Sequence, residues 1–499
     1  MFGTKPVQRF RLVSGRSSTL GTVMAELAAI HGNRRLVTEP ATGRELTYRQ
    51  AAELVASWSA GIAQRISPGD RVVVAVPNGY DQFLMCLAVS RAGGLPVPVN
   101  AQMRASEIDH VEADSEAALR IRSVGDLAGL AEAIDAVAAS PGDVGALFYT
   151  SGTTGSPKGA VLTHRALVGQ LGVGAALPKV PIRESVAALP VAHIMGFITL
   201  LGMAMAGIPV VSFERFRAAE VLDAIEQRRS SLFVGVPAMY RMLLEAGAAE
   251  RDLSSVRVWV SGADVMPPEL ARTFQGFGSM ATLPLVGSVG GALFVEGYGM
   301  VEVGGGVAVK MLVPGVPTRG DALGFRLPGY HFRVVNQAGQ GVRHGEVGEL
   351  LLRGPGVLRG YWNAPEATAA VLDDDGWLHT GDLVRRGPAG TVIFQGRSKQ
   401  VIKSGGYSVY PVEVAAALEQ HPDVLEAAAV GMVDDKLGEV PVAAVRIRPG
   451  ARVRPDQLVA FAADRLAHYK APRQVMVVDD LPRTGTEKVQ ADRVRELFG

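Results

Sequence analysis

The amino-acid sequence predicts an α/β fold, with a large N-terminal domain of mixed, mostly parallel sheets flanked by helices and a small α+β C-terminal domain. The chain has 499 residues, which is too long for one compact core, so at least two domains are expected. Short valine-rich runs alternate with helix-length segments over the first two thirds of the chain. Uninterrupted β-branched runs of this kind are typical of strands that are covered on both faces.

The elements follow one another with clear boundaries. The predicted strands are RVVVAVP, LPVPVN, ALFYT, SVAALP, IPVVSF, SLFVGVP and VRVWVSG. Thr47 begins a helix pattern, because its hydroxyl can accept a hydrogen bond from a free backbone N–H. From about Gly324, frequent turn residues predict a smaller, more antiparallel β unit. After Gln400, two helix patterns lie among short strands, so we expect domains over residues 1–397 and 398–499.

Composition and charge exclude several classes of protein. The 50 basic and 49 acidic residues give a formal net charge of +1, and no basic block stands out, so we expect no nucleic-acid partner. Cys86 is the single cysteine, which excludes an intramolecular disulfide and a cysteine-rich zinc site. It lies in the apolar run FLMCLAVSRAG, where a small core residue is the favoured interpretation.

An uncharged segment over residues 194–213 is long enough to span a bilayer. Gly207 and Pro209 divide it into a helix-length and a strand-length piece, and its flanks lack basic residues and an aromatic belt. A buried helix followed by a buried strand is therefore predicted. The N-terminus also lacks the apolar core of a signal peptide. These features predict a cytoplasmic protein without a transmembrane segment, either a monomer or a homodimer.

The segment YTSGTTGSPKGA, residues 149–160, is the first candidate for chemistry. It follows the strand-like ALFYT and precedes the helix-like THRALVGQL. A polar, glycine-rich turn at a strand end can surround phosphate oxygens with backbone N–H groups and hydroxyls, and Lys158 adds positive charge. The spacing of a Walker P-loop is absent. A flexible surface linker is the alternative interpretation of the same residues.

Seven further segments follow this loop in order: LPVAHIMGF, VSGADVMPPEL, VEGYGMVE, GELLLRGPGVLRGYWNAPEAT, GWLHTGDL, GRSKQVIKSGGYSVYPVE and LPRTGTEKVQ. With the loop, they resemble the signature motifs of the adenylate-forming superfamily, which includes the acyl-CoA synthetases. The resemblance implies that a carboxylate attacks the α-phosphate of ATP and that a thiol, usually of coenzyme A, then displaces AMP. It implies ATP, Mg²⁺ and coenzyme A as the cofactors and co-substrates. The first step depends on phosphate positioning and charge neutralisation.

The resemblance implies a nucleotide site assembled from several parts of the chain. Its predicted ATP- and AMP-binding residues are Thr150, Ser151, Gly152, Thr153, Thr154, Gly155, Lys158, Ser261, Gly262, Ala263, Glu296, Gly297, Tyr298, Gly299, Asp382 and Arg397. Tyr298 would stack on adenine, and Asp382 would accept hydrogen bonds from the ribose hydroxyls. Glu302 and Thr153 would hold Mg²⁺, a hard ion that prefers oxygen ligands. Locally, the tyrosine can equally be a buried aromatic and the aspartate a turn residue.

The same resemblance implies an acyl pocket and a set of catalytic residues. The pocket residues are His193, Phe197, Met300 and Gly304, and the catalytic residues are Lys488, Glu302 and His193. Taken alone, a histidine in an apolar segment is more often a core residue. No aspartate near His193 is available to pair with an amino group, which predicts a substrate acid without an α-amine. The low polarity of the pocket permits an aromatic or an aliphatic acid.

The resemblance also implies that the C-terminal domain is mobile and rotates about a hinge near Lys399. Lys488 would reach the α-phosphate and the carboxylate during adenylation, because a mobile ammonium suits developing negative charge. After rotation, a second segment would approach the pantetheine arm of coenzyme A. That segment comprises Ser404, Gly405, Gly406 and Tyr407. Its two glycines permit close approach of the backbone.

Three features depart from the family pattern. Val301 stands where the family usually has threonine, so it offers no hydroxyl to the α-phosphate. Glu487 stands where the family usually has glycine before Lys488. The apolar, glycine-rich residues 278–294 would reshape the acyl pocket or form a surface for another chain. An acyl-CoA synthetase is the leading interpretation, and two alternatives stay open: a ligase that loads a stand-alone carrier protein, and a nucleotide-binding relative with weakened catalysis.

Overall fold

The structure is a computed structural model that describes residues 17–127, 134–150, 157–169, 182–283, 287–316, 322–387, 391–484 and 488–499. The chain divides into two compact units. The first unit takes residues up to 318 together with residues 325–331 and 353–378. The second unit takes residues 319–324, 332–352 and 379–499. Each unit is therefore built from separate stretches of the chain.

Several helices in each unit begin at residues that favour helix starts. The helices in the described residues are α1 (Leu20–His31), α2 (Tyr48–Ala63), α3 (Tyr80–Arg91), α4 (Ala105–Asp114), α5 (Ile194–Ala206), α6 (Ala218–Arg228), α7 (Pro237–Glu245), α8 (Pro268–Phe277), α9 (Pro365–Ala369), α10 (Pro411–Leu418), α11 (Pro455–Ala463) and α12 (Ala491–Glu496). Thr47 caps α2 as predicted, because its side chain accepts a hydrogen bond from the Gln50 N–H. Proline occupies the first turn of α7 to α11, where its missing N–H costs no helical hydrogen bond.

The strands are short and occur throughout the described chain. They are β1 (Arg35–Glu39), β2 (Arg44–Thr47), β3 (Arg71–Val74), β4 (Leu95–Pro98), β5 (Leu119–Ile121), β6 (Val144–Thr150), β7 (Lys158–Thr163), β8 (Ser185–Ala187), β9 (Val210–Ser212), β10 (Leu232–Gly235), β11 (Val258–Gly262), β12 (Ala281–Leu283), β13 (Gly287–Val289), β14 (Leu293–Met300), β15 (Gly305–Leu312), β16 (Phe325–Arg326), β17 (His331–Val335), β18 (Val347–Arg353), β19 (Leu378–Arg386), β20 (Val392–Arg397), β21 (Ile402–Ser404), β22 (Tyr407–Val409), β23 (Val424–Asp434), β24 (Gly438–Ile447) and β25 (Gln474–Val477).

A large mixed sheet organises the first unit. Among the described residues it has nine strands, in the order β16-β15-β14-β11-β10-β8-β9-β1-β2. Neighbouring strands from β14 to β1 are parallel, whereas β2, β15 and β16 pair antiparallel at the two edges. This arrangement confirms the predicted mixed, mostly parallel sheet. Because β11 and β14 are adjacent and parallel, their carboxyl ends lie at the same edge of the sheet.

An aromatic cluster packs helices onto this sheet. Phe233, Trp259 and Phe294 stand in register on three neighbouring strands, so they share one face. Tyr240 from α7 and Phe274 from α8 contact these rings, and the Trp259 and Phe274 centroids are 5.0 Å apart. Burying a side chain of this size contributes about 1.5–3 kcal/mol. The cluster therefore holds the strands that end at the candidate site.

Smaller sheets complete the first unit. In the described residues, β4, β3 and β5 form a parallel sheet, and two antiparallel hairpins form from β6 with β7 and from β12 with β13. The helix-like THRALVGQL begins as predicted, because residues Arg165–Gly169 form a short helical turn, but the sequence did not indicate that Lys158–Thr163 before it is strand β7. Its backbone hydrogen bonds are taken by β6 on one edge and by a distant segment on the other.

The apolar residues 194–213 form helix α5 followed by strand β9, as predicted. Gly207 ends the helix with φ of 73°, a left-handed conformation that suits glycine. Within the part of the chain that the structure describes, no helix has both the length and the apolar character needed to cross a membrane.

The second unit contains two sheets. One has the strand order β17-β18-β19-β20, and the other has the order β22-β21-β24-β23 with β25 paired to β24. Val414 and Leu418 from α10 and Leu458 from α11 pack in the core of the second sheet. Strand β20 also packs against α10 within this unit. The division into units therefore differs from the predicted boundary between residues 397 and 398, which stays a prediction.

A buried carboxylate joins three elements of the first unit. Glu184, just before β8, is 4% exposed. It accepts hydrogen bonds from Arg35 of β1 at 2.5 Å, from the Arg228 Nε of α6 at 2.9 Å and from the Ser230 hydroxyl at 3.1 Å. A buried charge is tolerated when it is paired and hydrogen-bonded in this way.

Replacing Glu184 with glutamine is expected to lower the free energy of unfolding by about 2 kcal/mol, because hydrogen bonds to a charged group contribute about 1.5–3 kcal/mol. Urea unfolding followed by tryptophan fluorescence measures the change. The matched control is Glu220→Gln, which removes an exposed ion pair with Arg217 and should leave the midpoint unchanged. Equal midpoints for Glu184→Gln and the wild type would contradict the assignment.

Candidate active site

The loop predicted to bind phosphate lies between two antiparallel strands. Thr150 ends β6, Lys158 begins β7, and the two residues stand opposite each other in the ladder. Lys158 is exposed. The predicted residues Ser151, Gly152, Thr153, Thr154 and Gly155 lie outside the described residues. The described strands nevertheless show where both ends of the loop are anchored.

A distant segment pairs with the second edge of β7. The Val161 N–H donates to the Gly360 carbonyl at 2.9 Å, and Ala160 and Tyr361 form an antiparallel bridge. Tyr361 is therefore held beside the start of β7. The Nζ of Lys158 lies 5.7 Å from the centre of the Tyr361 ring. An ammonium at this distance is attracted to the face of the ring.

Tyr361 also contacts the predicted metal ligand. Its hydroxyl donates to Oε1 of Glu302 at 2.9 Å. Glu302 lies in the short turn Val301–Val303, and its carbonyl accepts a hydrogen bond from the Leu358 N–H at 2.8 Å. The structure thus brings the ammonium of Lys158, the phenol of Tyr361 and the carboxylate of Glu302 into one cluster. Oε2 of Glu302 accepts no hydrogen bond within the described part of the chain.

Sequence reasoning missed Tyr361. The residue lies within GELLLRGPGVLRGYWNAPEAT, a segment that contributed to the family resemblance. That motif marks a matching stretch of chain but does not indicate which side chain faces Glu302. The contact arises because the segment pairs with β7, and a pairing between distant segments leaves no periodic signal in the sequence.

The ends of β11 and β14 form a strip with few side chains. Ser261 pairs with Glu296, and Gly262 pairs with Gly297, in parallel register. Gly297 is exposed, while the buried Ser261 Oγ makes no hydrogen bond within the described residues. Ala263 follows with φ of 67°. This strip therefore carries two glycines in register and one buried hydroxyl.

Three predicted nucleotide-binding residues of β14 have different surroundings. Tyr298 is half-buried, and Gly299 pairs with Gly306 of β15. Glu296 stands opposite Lys310, and their side chains form an ion pair of 2.9 Å. Burial raises the pKa of Glu296 above its usual value, and the charge of Lys310 opposes that effect. The carboxylate of Glu296 is therefore engaged by a protein cation in this structure.

The start of α5 packs against the strand ends. His193 caps the helix, because its Nδ1 accepts a hydrogen bond from the Met195 N–H at 3.2 Å. The Met195 side chain lies against Gly262, with Cε 3.3 Å from the position of a Cβ there. The Ile198 side chain lies against Gly305 at the start of β15. The half-buried His193 therefore stands at the start of a helix that contacts the end of β11 and the start of β15.

Phe197 differs from its predicted role as a pocket residue. It is fully buried and contacts Phe83 and Phe148 edge to face, with centroid distances of 5.4 Å and 5.3 Å. In this structure it is a core residue and lines no open surface. The sequence could not distinguish these roles, because every position of α5 is apolar or glycine apart from one threonine.

The other two predicted pocket residues lie on either side of the Glu302 turn. Met300 is half-buried at the end of β14. Gly304 is buried with φ of 66°, and a Cβ there would stand 2.7 Å from the Ala166 carbonyl oxygen. Glycine at this position is therefore required by the backbone. Met300 and His193 remain candidates for contact with an acyl group.

In the second unit, Asp382 and Arg397 form a pair across β19 and β20. They are opposite in the ladder, and the Arg397 Nε lies 3.1 Å from an Asp382 carboxylate oxygen. The Asp382 side chain is 3% exposed, and that of Arg397 is 45% exposed. Glu349 contacts the start of β19, because it accepts a hydrogen bond from the Gly381 N–H at 3.0 Å and lies 3.1 Å from His379. Glu349 was not in the predicted set.

The predicted coenzyme A segment is a tight turn. Ser404 and Tyr407 are opposite each other where β21 and β22 meet. Gly405 and Gly406 between them have φ of 57° and 83°, and positive φ at both central residues is typical of a hairpin turn of type I′. Tyr407 is 57% exposed and stacks on Tyr469 with a centroid distance of 4.4 Å. The turn therefore presents its backbone and an aromatic pair at the surface.

The two predicted lysines of this unit lie in different local structures. Lys399 is exposed in the short turn Ser398–Gln400, directly after β20. Lys488 is half-buried, and its N–H donates to the Thr484 hydroxyl at 3.2 Å. Thr484 in turn donates its N–H to the Lys488 carbonyl at 2.8 Å. Glu487 lies outside the described residues.

Comparison with known families covers both units. The model described as AMP-binding enzyme matches residues 24–140 and 122–362, and the model described as AMP-binding enzyme C-terminal domain matches residues 413–488. The matched residues include Lys158, Glu302 and Lys488. The family model thus spans more than half of the chain.

Individual relatives agree over nearly the whole length. A feruloyl-CoA synthase from Amycolatopsis sp is 34% identical over 483 residues, which are 92% of this chain and 95% of the relative. A long-chain-fatty-acid–CoA ligase from Mycobacterium tuberculosis is 28% identical, over 96% and 98% of the two chains. The structure of o-succinylbenzoate CoA synthetase from Bacillus subtilis with an acyl-adenylate intermediate has a TM-score of 0.82, at 25% identity and over 95% and 98% of the chains. The chain therefore belongs to the AMP-binding enzyme family, within the acyl-CoA synthetases of the adenylate-forming superfamily.

Proposed function

We propose that this protein is an AMP-forming acid–thiol ligase that converts a carboxylic acid, ATP and coenzyme A into an acyl-CoA, AMP and pyrophosphate. A carboxylate oxygen of the acid bonds to the α-phosphorus, and the bond from that phosphorus to the bridging oxygen breaks, which releases pyrophosphate. The sulfur of coenzyme A then bonds to the acyl carbon, AMP leaves, and the thiol proton passes to solvent. The observation that carries this proposal is the cluster of Lys158, Tyr361 and Glu302 at the anchored phosphate loop.

The described residues suit the nucleotide in several ways. The ammonium of Lys158 and the loop that begins at Thr150 would neutralise and hold the β- and γ-phosphates. The strip at Ser261 would receive the flat adenine, with Tyr298 stacked on it. Asp382 would accept hydrogen bonds from the ribose hydroxyls, because its buried carboxylate is acceptor-only when ionised. The base would also contact the small residues Gly262, Ala263, Gly297 and Gly299. Arg397 would reach the ribose or a phosphate.

A magnesium ion fits the donor set of the first unit. Within the described residues, no group of three or more His, Cys, Asp or Glu side chains is arranged to hold a metal. A single carboxylate with a free oxygen, as in Glu302, suits Mg²⁺, which is usually held by one or two carboxylates together with substrate phosphates and water. When bound, Mg²⁺ supplies charge neutralisation at the phosphates. Thr153 stays a predicted second ligand.

The C-terminal residues would act in turn. Lys488 would contact the α-phosphate and the carboxylate during adenylation, where a fixed positive charge stabilises the developing negative charge. Rotation about a hinge near Lys399 would then withdraw Lys488 and bring the turn with Gly405 and Gly406 to the pantetheine arm of coenzyme A. This proposal keeps the domain boundary between residues 397 and 398. The exposed turn Ser398–Gln400 supports it, since few packed side chains would oppose a change of backbone angles there.

The substrate is proposed to be an aromatic or aliphatic acid without an α-amine. Relatives include a feruloyl-CoA synthase and a long-chain-fatty-acid–CoA ligase, so both kinds of acid are candidates. His193 and Met300 are half-buried near the strand ends and would face the acyl group. Both relatives are named for coenzyme A, which favours it over a carrier protein as the acceptor. A cytoplasmic location is proposed because ATP and coenzyme A are available there, and a monomer or homodimer suffices.

The reaction is tested by ATP–pyrophosphate exchange with ferulic, 4-coumaric, indole-3-acetic and dodecanoic acids, followed by mass spectrometry with coenzyme A. We expect at least one acid to support exchange and to yield its thioester. Lys488→Ala should slow exchange about 100-fold, as for the loss of one preorganised charge-stabilising group. Lys436→Ala, an exposed lysine of the same unit, is the control. Exchange without any coenzyme A thioester would contradict the proposed acceptor.

Removing the Tyr361 hydroxyl should weaken the contribution of Mg²⁺ to nucleotide binding. Calorimetry measures the dissociation constant of ATP without Mg²⁺ and with Mg²⁺. The first constant divided by the second should be about 10-fold smaller in Tyr361→Phe than in the wild type, which is the effect of one hydrogen bond to a charged group. The control is Tyr330→Phe, because the Tyr330 hydroxyl contacts the Val303 carbonyl of the same turn and not Glu302. A ratio in Tyr361→Phe equal to that of the control would refute the role of Tyr361.

Restoring the family threonine should speed adenylation. Val301 is 9% exposed and begins the turn that carries Glu302. A hydroxyl there would donate to the α-phosphate, so Val301→Thr is expected to raise the exchange rate about 3- to 10-fold, as for one hydrogen bond of about 0.5–1.5 kcal/mol. Val303→Thr, in the same turn but fully buried, should give no increase. A rate in Val301→Thr at or below that of the wild type would show that the missing hydroxyl does not limit adenylation.

A further inference from the structure

A buried carboxylate lies next to the segment that carries Lys488. Glu426 of β23 is 3% exposed. Its Oε2 lies 2.5 Å from the Arg483 guanidinium and 3.5 Å from that of Arg446, and both arginine side chains are largely buried. An ionised carboxylate at such a position is costly unless cations pair with it, so these partners are strongly restrained. None of these residues has a role in the proposed nucleotide, acyl or coenzyme A contacts.

Arg483 is linked to Lys488 through the backbone. Arg483 and Val489 form an antiparallel bridge, so the stretches before and after residues 485–487 run side by side. Thr484 and Lys488 exchange two hydrogen bonds, from the Thr484 N–H to the Lys488 carbonyl and from the Lys488 N–H to the Thr484 hydroxyl. The position of Arg483 therefore determines the position of the Lys488 main chain.

Apart from the ion pair, β23 contacts the C-terminal residues through apolar side chains and through a hydrogen bond from the Arg495 Nε to the Gly431 carbonyl at 3.0 Å. Glu426 shares one face of the strand with Ala428 and Val430, because alternate residues of a strand point to the same side. Val430 packs with Leu481 and Val494 in a small buried cluster. Apolar contacts of this kind tolerate small shifts, whereas the fork of an arginine on a carboxylate favours one geometry. The ion pair is therefore a directional contact that involves Arg483 itself.

We propose that Glu426 is a positioning residue for adenylation. It pairs with Arg483 and thereby fixes the main-chain position from which the Lys488 side chain extends. The proposal rests on the proposed role of Lys488 at the α-phosphate. A displacement of about 1 Å can slow a reaction by about 100-fold when a group must meet a developing charge. Because Lys488 acts in adenylation and is withdrawn for thioester formation, a change at Glu426 should affect the first half-reaction and spare the second.

The test compares the two half-reactions in the full-length Glu426→Gln protein. ATP–pyrophosphate exchange is measured with the most active acid of the panel, and thioester formation is measured from the chemically synthesised adenylate of that acid with coenzyme A. We expect exchange to fall about 10-fold or more and thioester formation to change less than about twofold. The matched control is Glu413→Gln, which removes an ion pair with Lys470 in the same unit and should alter neither rate.

Two further measurements separate positioning from general loss of structure. Amide hydrogen exchange should become faster over residues 482–490 in Glu426→Gln and stay unchanged in the rest of the second unit, a result that needs no substrate. The double variant Glu426→Gln with Lys488→Ala should exchange pyrophosphate no more slowly than Lys488→Ala alone, because both changes act through one group. Glu426→Asp keeps the charge and should retain a rate between those of Glu426→Gln and the wild type.

Equal slowing of both half-reactions, or unchanged hydrogen exchange over residues 482–490, would overturn the proposal. The result for Lys488→Ala distinguishes this failure from that of the proposed function. If Lys488→Ala exchanges pyrophosphate normally, the role of Lys488 itself is wrong. If Lys488→Ala is slow while Glu426→Gln behaves as the wild type, only the positioning role of Glu426 is wrong.

Discussion

The pairing of residues 359–362 with β7 is the contact on which the candidate site of the first unit depends. Through its backbone hydrogen bonds, β7 lies between β6 on one side and residues 359–362 on the other. The same pairing places Tyr361 in contact with both Lys158 and Glu302, two residues that are far apart in the sequence. An ammonium and a carboxylate near one phenol give the site both signs of charge without a direct ion pair between them. That balance suits a polyphosphate accompanied by a divalent cation.

The parallel part of the large sheet supplies the second half of this site. Because β11 and β14 run in the same direction, their small residues reach the same edge of the sheet, where we propose that the planar base binds. The aromatic cluster beneath these strands fixes their positions, and the start of α5 packs against the end of β11. Within the described residues, the buried Ser261 hydroxyl makes no hydrogen bond, and a buried donor without a partner carries a desolvation cost. A nucleotide that accepted its hydrogen bond would remove that cost.

In the second unit, carboxylates with little exposure fix the backbone close to the predicted functional groups. Glu349 accepts a hydrogen bond from Gly381 within β19, Asp382 pairs with Arg397, and Glu426 pairs with Arg483. A carboxylate in a low-dielectric interior interacts strongly with its cation, and it leaves few alternative arrangements of low energy. Such anchors suit an enzyme that presents different groups of one unit in successive half-reactions, because each presented group starts from a defined backbone position.

The sequence by itself determined the family, the reaction class and the main architecture, because those follow from the order of motifs and from hydrophobic periodicity. A local signal also predicted the helix cap at Thr47, since a cap depends on a few adjacent residues. Only the tertiary structure decided that residues 158–163 form a strand, that Phe197 is a core residue and that Tyr361 contacts Glu302. Periodicity indicates whether a residue is apolar, but the partner that covers it comes from a distant part of the chain.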